Sequence, residues 1–188
     1  MTLTPAWARF TLTTHVAVSV GWAGALAAFL AHAVVSVSST DIEAVRAVSI
    51  AMALIAWFVI LPLSLATLTT GLVQALGTSW GLVRHYWVVF KLVLTAVATA
   101  ILLLKLGPIS QAAAADTPGL RVSILVHAAG GLAVLLAALA LAIYKPAGRV
   151  GAAPPPRWVK VFGLIVALLA AMLAAMLAGG GHGPSSHF

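Results

Sequence analysis

Residues 120–144 read LRVSILVHAAGGLAVLLAALALAIY, and this stretch decides the class of fold. It runs for 25 residues with a single charged side chain, Arg121, near its start. A helix needs roughly 20 mostly apolar residues to cross the hydrocarbon core of a bilayer. Strand-like alternation of polar and apolar residues is absent, so we expect a membrane-spanning helix rather than a strand of a membrane barrel.

Four further stretches have the same character, and turn-forming or charged residues separate them. We therefore predict five spans, at about Arg9–Val37, Ala47–Leu76, His85–Leu106, Leu120–Tyr144 and Trp158–Ala178. Only 7% of the residues are charged, whereas roughly a quarter are charged in an ordinary soluble domain. The sequence thus predicts an all-α integral membrane protein in which the first four helices form a bundle within the lipid bilayer.

The whole chain, 1–188, is expected to form one membrane domain. Its parts are a four-helix core at about 9–144, a linker at 145–157, a fifth helix at about 158–178 and a flexible tail at 179–188. The fifth helix carries small residues at every fourth position, and such spacing lets helices pack closely. We interpret this stripe as a contact for a homo- or hetero-oligomer; it consists of Ala167, Ala171, Ala175 and Gly179.

The net charge of +7 predicts orientation rather than nucleic-acid binding, because the charges fall between apolar runs and form no contiguous patch. Placing the N-terminus in the cytoplasm puts most basic residues inside, namely Arg9, Arg84, Lys91, Lys145, Arg149, Arg157 and Lys160. The outside then holds Arg46, Lys105 and Arg121 with all three acids, Asp41, Glu43 and Asp116. We expect a bacterial inner (cytoplasmic) membrane protein, with the C-terminus outside after five spans.

Four histidines fall within or beside the predicted spans, where ionisable groups are costly and mark candidate functional sites. His15 lies early in the first span and His32 late, whereas His85 opens the third span and His127 lies early in the fourth. Adjacent spans run in opposite directions. His15 and His85 are therefore expected near the inner face, and His32 and His127 near the outer face.

Two histidines from different helices at one depth are what a six-coordinate haem requires. The pattern predicts a b-type haem protein for electron transfer, with one or two haem b groups. His15 and His85 would ligate the iron of the inner haem, and His32 and His127 that of the outer haem. The competing interpretation is that each histidine is interfacial or hydrogen-bonded to a neighbouring helix.

Polar residues of the second and third spans accompany the inner pair. Ser64, Thr67, Gly71 and Gln74 fall within an arc of about 80° on one helical face, beside Thr70. We expect Thr70 and Gln74 to line the inner site. Lys91 and Arg84 are candidates to neutralise haem propionates, although Lys91 could instead extend to the interface and Arg84 could lie in an exposed loop.

Three short motifs resemble a group of small bacterial membrane proteins. They are His15-x6-Trp22-Ala23-Gly24, Pro62 with Leu68-Thr69-Thr70-Gly71, and Trp87-Val88-Val89-Phe90-Lys91. The group includes the HemJ-type protoporphyrinogen oxidases and the copper-resistance D membrane proteins. The resemblance implies a four-helix bundle that binds haem or a porphyrin, with His15 as an axial ligand and Lys91 as the matching functional lysine.

Other functions remain open from the sequence. They are a porphyrinogen-oxidising enzyme, a non-catalytic membrane anchor of a larger complex, and a copper-handling protein. The chain has no cysteine, which excludes a thiolate metal site and a thiol nucleophile. A quinone or a redox partner protein is the expected source of electrons, but the sequence does not place a quinone site.

Overall fold

The computed structural model describes residues 3–78, 80–114, 118–151 and 155–179. Its helices are α1 (Pro5–Ser38), α2 (Ile42–Ile55), α3 (Leu61–Gly77), α4 (Tyr86–Ala114), α5 (Pro118–Tyr144) and α6 (Arg157–Gly179). A π-helical segment, Ala56–Ile60, joins α2 and α3 into one continuous helix. No strand occurs among the described residues, which confirms the all-α fold. Asp116, part of the linker and the tail after Gly179 lie outside the described residues.

Four helices of the described chain are long and apolar enough to cross a membrane: Pro5–Ser38, Ile42–Gly77, Tyr86–Ala114 and Pro118–Tyr144. They form a closed ring in which α1 packs on α2, α3 and α5, and α4 packs on the same three helices from the opposite side. The predicted four-helix bundle is therefore present. The last helix, α6, packs against α4 and is not among these four, so its crossing of the membrane stays a prediction.

Some helix ends differ from the predicted bounds because of capping hydrogen bonds or buried contacts. The second membrane helix begins at Ile42, because the carboxylate of Asp41 accepts hydrogen bonds from the backbone N–H groups of Glu43 at 2.9 Å and Ala44 at 3.4 Å. The predicted end of the third span at Leu106 was wrong, because α4 continues through Pro108 to Ala114. Buried contacts of Ile109 and Ala112 hold this last part of the helix in place.

Pro62 is accommodated by a local change of helical register. Proline has no backbone N–H, so an α-helical hydrogen bond is missing there. Just before it, the N–H of Leu61 reaches the carbonyl of Ala56, five residues back, as in a π-helix. The helix therefore passes the proline without ending.

One end of the bundle carries a group of basic residues, and we call it the basic end: Arg9, Arg84, Lys145, Arg149 and Arg157. Backbone hydrogen bonds join its segments. Leu3 N–H donates to the carbonyl of Gly77 at 3.0 Å, and Val150 N–H donates to that of Arg84 at 3.0 Å. The start of α1, the end of α3, the start of α4 and the loop after α5 therefore lie together.

Candidate functional site

Two cavities lie one above the other between the helices, and each reaches the outer surface of the bundle. The His15 cavity, about 210 Å³, is toward the basic end and lies among α1, α3, α4 and α5. The His127 cavity, about 300 Å³, is toward the opposite end and is bounded mainly by α1, α4 and α5. Trp22 and Leu135 line both cavities, and Trp22 is only 2% exposed. These two side chains therefore form the wall between the cavities.

The ring of His15 is held in one tautomer by α3. Its Nδ1 lies 2.9 Å from the hydroxyl of Thr70, and that hydroxyl donates its own proton to the carbonyl of Ala66 at 2.7 Å. Nδ1 must therefore be the donor to Thr70, which leaves the lone pair of Nε2 for a ligand. Gly71 makes room for the ring, since a Cβ at this position would lie 3.2 Å from His15 Cε1.

The polar side chains that line the His15 cavity include Thr67, Gln74 and Lys91, together with the hydroxyl groups of Ser19, Thr78 and Thr95. The Thr67 hydroxyl and the Gln74 amide nitrogen are buried and have no hydrogen-bond partner within the described part of the chain. Lys91 is half-buried, with its Nζ 5.9 Å from the centre of the Trp87 ring. Buried polar groups are normally paired, so these groups point to a ligand or ordered water.

The His127 cavity is almost entirely apolar. His127 and Lys105 are the ionisable residues among its lining, and small residues, including Ala98, Gly130 and Gly131, widen it. Nδ1 of His127 lies 2.6 Å from the backbone carbonyl of Ser123. A carbonyl only accepts, so Nδ1 carries the proton and Nε2 keeps its lone pair. The Nε2 atom of this imidazole is therefore the one that could accept a bond from a ligand.

The remaining predicted site residues lie outside the two cavities. Nδ1 of His32 donates to the carbonyl of Ala28 in its own helix at 2.7 Å, and His32 does not line the His127 cavity. His85 precedes α4, and its Nδ1 donates to the carbonyl of Trp80 at 3.0 Å. Neither His85 nor Arg84, which is exposed in the same turn, lines the His15 cavity. The structure brings His15, Gln74 and Lys91 together around one cavity, whereas Thr70 contacts the His15 ring but does not line the cavity. Neither predicted histidine pair lies in one cavity.

Sequence reasoning did not assign Lys105, Thr67 or Trp22 to a site. Lys105 follows Lys91 by 14 positions, which is close to four helical turns, so the two lysines share a face of α4 within about 40°. That spacing was a usable signal. For Trp22 no comparable spacing was available, because its place between the two cavities depends on how α1 and α5 pack.

No group of three or more His, Cys, Asp or Glu side chains comes together in the described ranges. The donor sets therefore suit a cofactor that needs one or two protein ligands better than a bare metal ion. No protein-family model, curated protein or solved structure matches the chain. The resemblance to HemJ-type proteins therefore stays a prediction.

Proposed function

We propose that the chain is a membrane haem protein that transfers electrons, with one haem b in the His127 cavity. The observation that carries the proposal is the imidazole of His127, which is fixed by Ser123 and faces an apolar cavity with its Nε2 lone pair available. When bound, a haem supplies an iron that takes up and releases one electron. His127 would be its axial ligand.

The other residues of this cavity fit the same group. Its volume of about 300 Å³ stands at the lower end of the roughly 300–1,000 Å³ that cofactor sites occupy. Gly130 has no side chain within 4 Å of where its Cβ would lie, which leaves space for a flat ring, and most of the other lining residues are apolar. Lys105 would neutralise a propionate, the role that we predicted for Lys91 or Arg84 at the inner site. A haem between His15 and His85 is not part of this proposal, because His85 does not line the smaller cavity.

Absorption spectra of the purified protein test this function. Protein expressed with ample haem and purified in detergent is expected to show a Soret band that shifts on reduction by dithionite. A pyridine haemochrome assay is expected to give about one haem b per chain. A featureless spectrum from well-folded, helical protein would contradict the proposal and favour an anchor subunit.

A porphyrinogen-oxidising enzyme is the second candidate, because His15 and Lys91 line one cavity. They are the two residues that the resemblance to HemJ-type proteins selects. Such an enzyme would consume protoporphyrinogen when it is supplied with an electron acceptor, whereas an electron carrier would leave this substrate unchanged. The same purified protein serves for both assays.

We further propose that the basic end faces the bacterial cytoplasm and that α6 crosses the membrane, with its small-residue stripe available to a second subunit. The charge difference between the ends supports this orientation, since Asp41 and Glu43 lie at the opposite end. The chain has no cysteine, so single cysteines can report on each side.

Cysteines at two exposed positions test the orientation. In intact spheroplasts, a membrane-impermeant maleimide is expected to label Glu43→Cys at once but Val150→Cys only after permeabilisation. A cysteine appended after Phe188 is expected to label like Glu43→Cys if α6 crosses. The reverse pattern at positions 43 and 150 would overturn the orientation, and protection of the appended cysteine would place α6 on the cytoplasmic side.

A further inference from the structure

We propose that the His15 cavity binds the headgroup of a membrane quinol or quinone. The first support is the balance of hydrogen-bonding groups around it. His15 offers a lone pair on Nε2, whereas Lys91, Gln74 and Thr67 offer donors. A ligand that satisfies this set must both donate and accept, as a hydroquinone ring does with its hydroxyl groups.

Anionic ligands fit this set less well. A fatty-acid carboxylate or a lipid phosphate would accept from Lys91 and Gln74, but it has no proton to donate to His15 Nε2. Its negative charge would instead face the imidazole lone pair. An uncharged quinol or quinone can also enter directly from the lipid phase, so no charge has to be carried into the bundle.

The shape of the cavity gives the second support. Its volume of about 210 Å³ suits a single substituted ring, and Trp87, Val88 and Leu92 supply apolar walls for it. Val16 and Val20 of α1 also line the cavity, and they are 51% and 55% exposed on the outside of the bundle. The cavity therefore reaches a surface that lipid covers, where an isoprenoid tail can extend from the ring.

The position of the cavity connects it to the second site. Trp22 separates it from the His127 cavity, so a ring bound beside His15 would lie across one side chain from that site. The inference concerns binding alone and does not rest on the presence of a haem.

Equilibrium binding of ubiquinone-1 and of a short-chain menaquinone to the purified full chain tests the inference. We expect saturable binding of one molecule per chain. Gln74→Leu and Lys91→Met should each weaken binding about tenfold, as expected for the loss of one buried hydrogen bond. His15→Ala should weaken binding of the reduced form more than that of the oxidised form, because only a hydroxyl can donate to Nε2.

Matched controls separate this site from general effects on folding. Arg84→Gln removes a positive charge at the same end but outside the cavity, and it should leave quinone affinity unchanged. Ala142→Phe should abolish binding by filling the cavity without removing a polar group. Binding that persists in His127→Ala protein, which is expected to lack haem, would separate this inference from the proposed function.

Three results would overturn the inference. The first is the absence of saturable quinone binding by the wild-type protein. The second is a quinone affinity of Gln74→Leu and Lys91→Met that equals that of the wild type. The third is displacement of ubiquinone-1 by oleate at equal concentration, which would identify a carboxylate site. Helical content by circular dichroism and a single size-exclusion peak confirm that each variant is folded.

Discussion

Replacing His127 by alanine is expected to reduce the haem content of the purified protein from about one group per chain to none. The substitution removes the one imidazole that lines the larger cavity and leaves apolar carbon and Lys105 in its place. A neutral imidazole is the usual protein ligand of haem iron, and alanine offers no replacement. The pyridine haemochrome assay measures the loss directly, in protein matched for expression and detergent.

Two further histidine variants serve as controls for this prediction. His32→Ala should retain the haem, because the His32 ring is hydrogen-bonded to Ala28 of its own helix and does not line the cavity. His15→Ala should retain it as well, because His15 lines the other cavity. Added imidazole should restore the Soret band of His127→Ala. If His15→Ala loses the haem and His127→Ala keeps it, the haem belongs to the smaller cavity.

Depth in the membrane was predictable because it is a local property of each span. Counting residues from the end of an apolar run, and alternating the direction of successive runs, predicted that Thr70 and Gln74 lie at the depth of His15 and His85. The hydrogen bond between His15 and Thr70 confirms the first of these pairings. A polar stripe on a membrane helix also predicts which face of the helix turns toward the protein, and here Ser64 and Thr67 of the stripe are buried in the bundle.

The direction in which each histidine points was not predictable in the same way. His15 and His32 are 17 positions apart on α1, so they point about 100° apart around the helix. The two predicted haem sites require both rings to face the interior of the bundle. The rotation of α1 against α3 and α5 brings His15 into a cavity and leaves His32 bonded to its own backbone. This rotation depends on packing contacts along the whole of α1, so it cannot be read from any single sequence motif.

The cavities themselves are also a product of packing. Gly130 and Gly131 follow His127 closely in the sequence. Small residues at such positions can leave room for a flat group or can allow close helix contacts. Whether such residues produce a void or a contact depends on the side chains opposite. Here Leu26 lies close to Gly131, since a Cβ on this glycine would stand 3.3 Å from Leu26 Cδ2, whereas Gly130 has no such neighbour. Gly131 is thus packed against a neighbouring helix, whereas Gly130 has free space beside it. The two glycines are adjacent in the sequence, so the sequence alone does not distinguish them.

Trp22→Ala is expected to cause the largest loss of stability among single substitutions in the bundle. Trp22 is 2% exposed and belongs to the central hydrophobic cluster with Phe29, Met52 and Ile60. Replacing a buried aromatic residue by alanine costs about 3–5 kcal/mol in well-packed cores, because the contacts are lost and the surroundings collapse only in part. Here collapse is further limited, because the new void opens into a cavity on either side.

The free energy of unfolding in mixed detergent and sodium dodecyl sulfate micelles measures this loss. Trp7→Ala is the matched control, since Trp7 is 60% exposed and its removal should change the free energy of unfolding by less than about 1 kcal/mol. The stability loss of Trp22→Phe should fall between those of Trp22→Ala and Trp7→Ala, because phenylalanine keeps part of the buried aromatic contact. If Trp22→Ala and Trp7→Ala are equally stable, the buried indole of Trp22 does not stabilise the centre of the bundle.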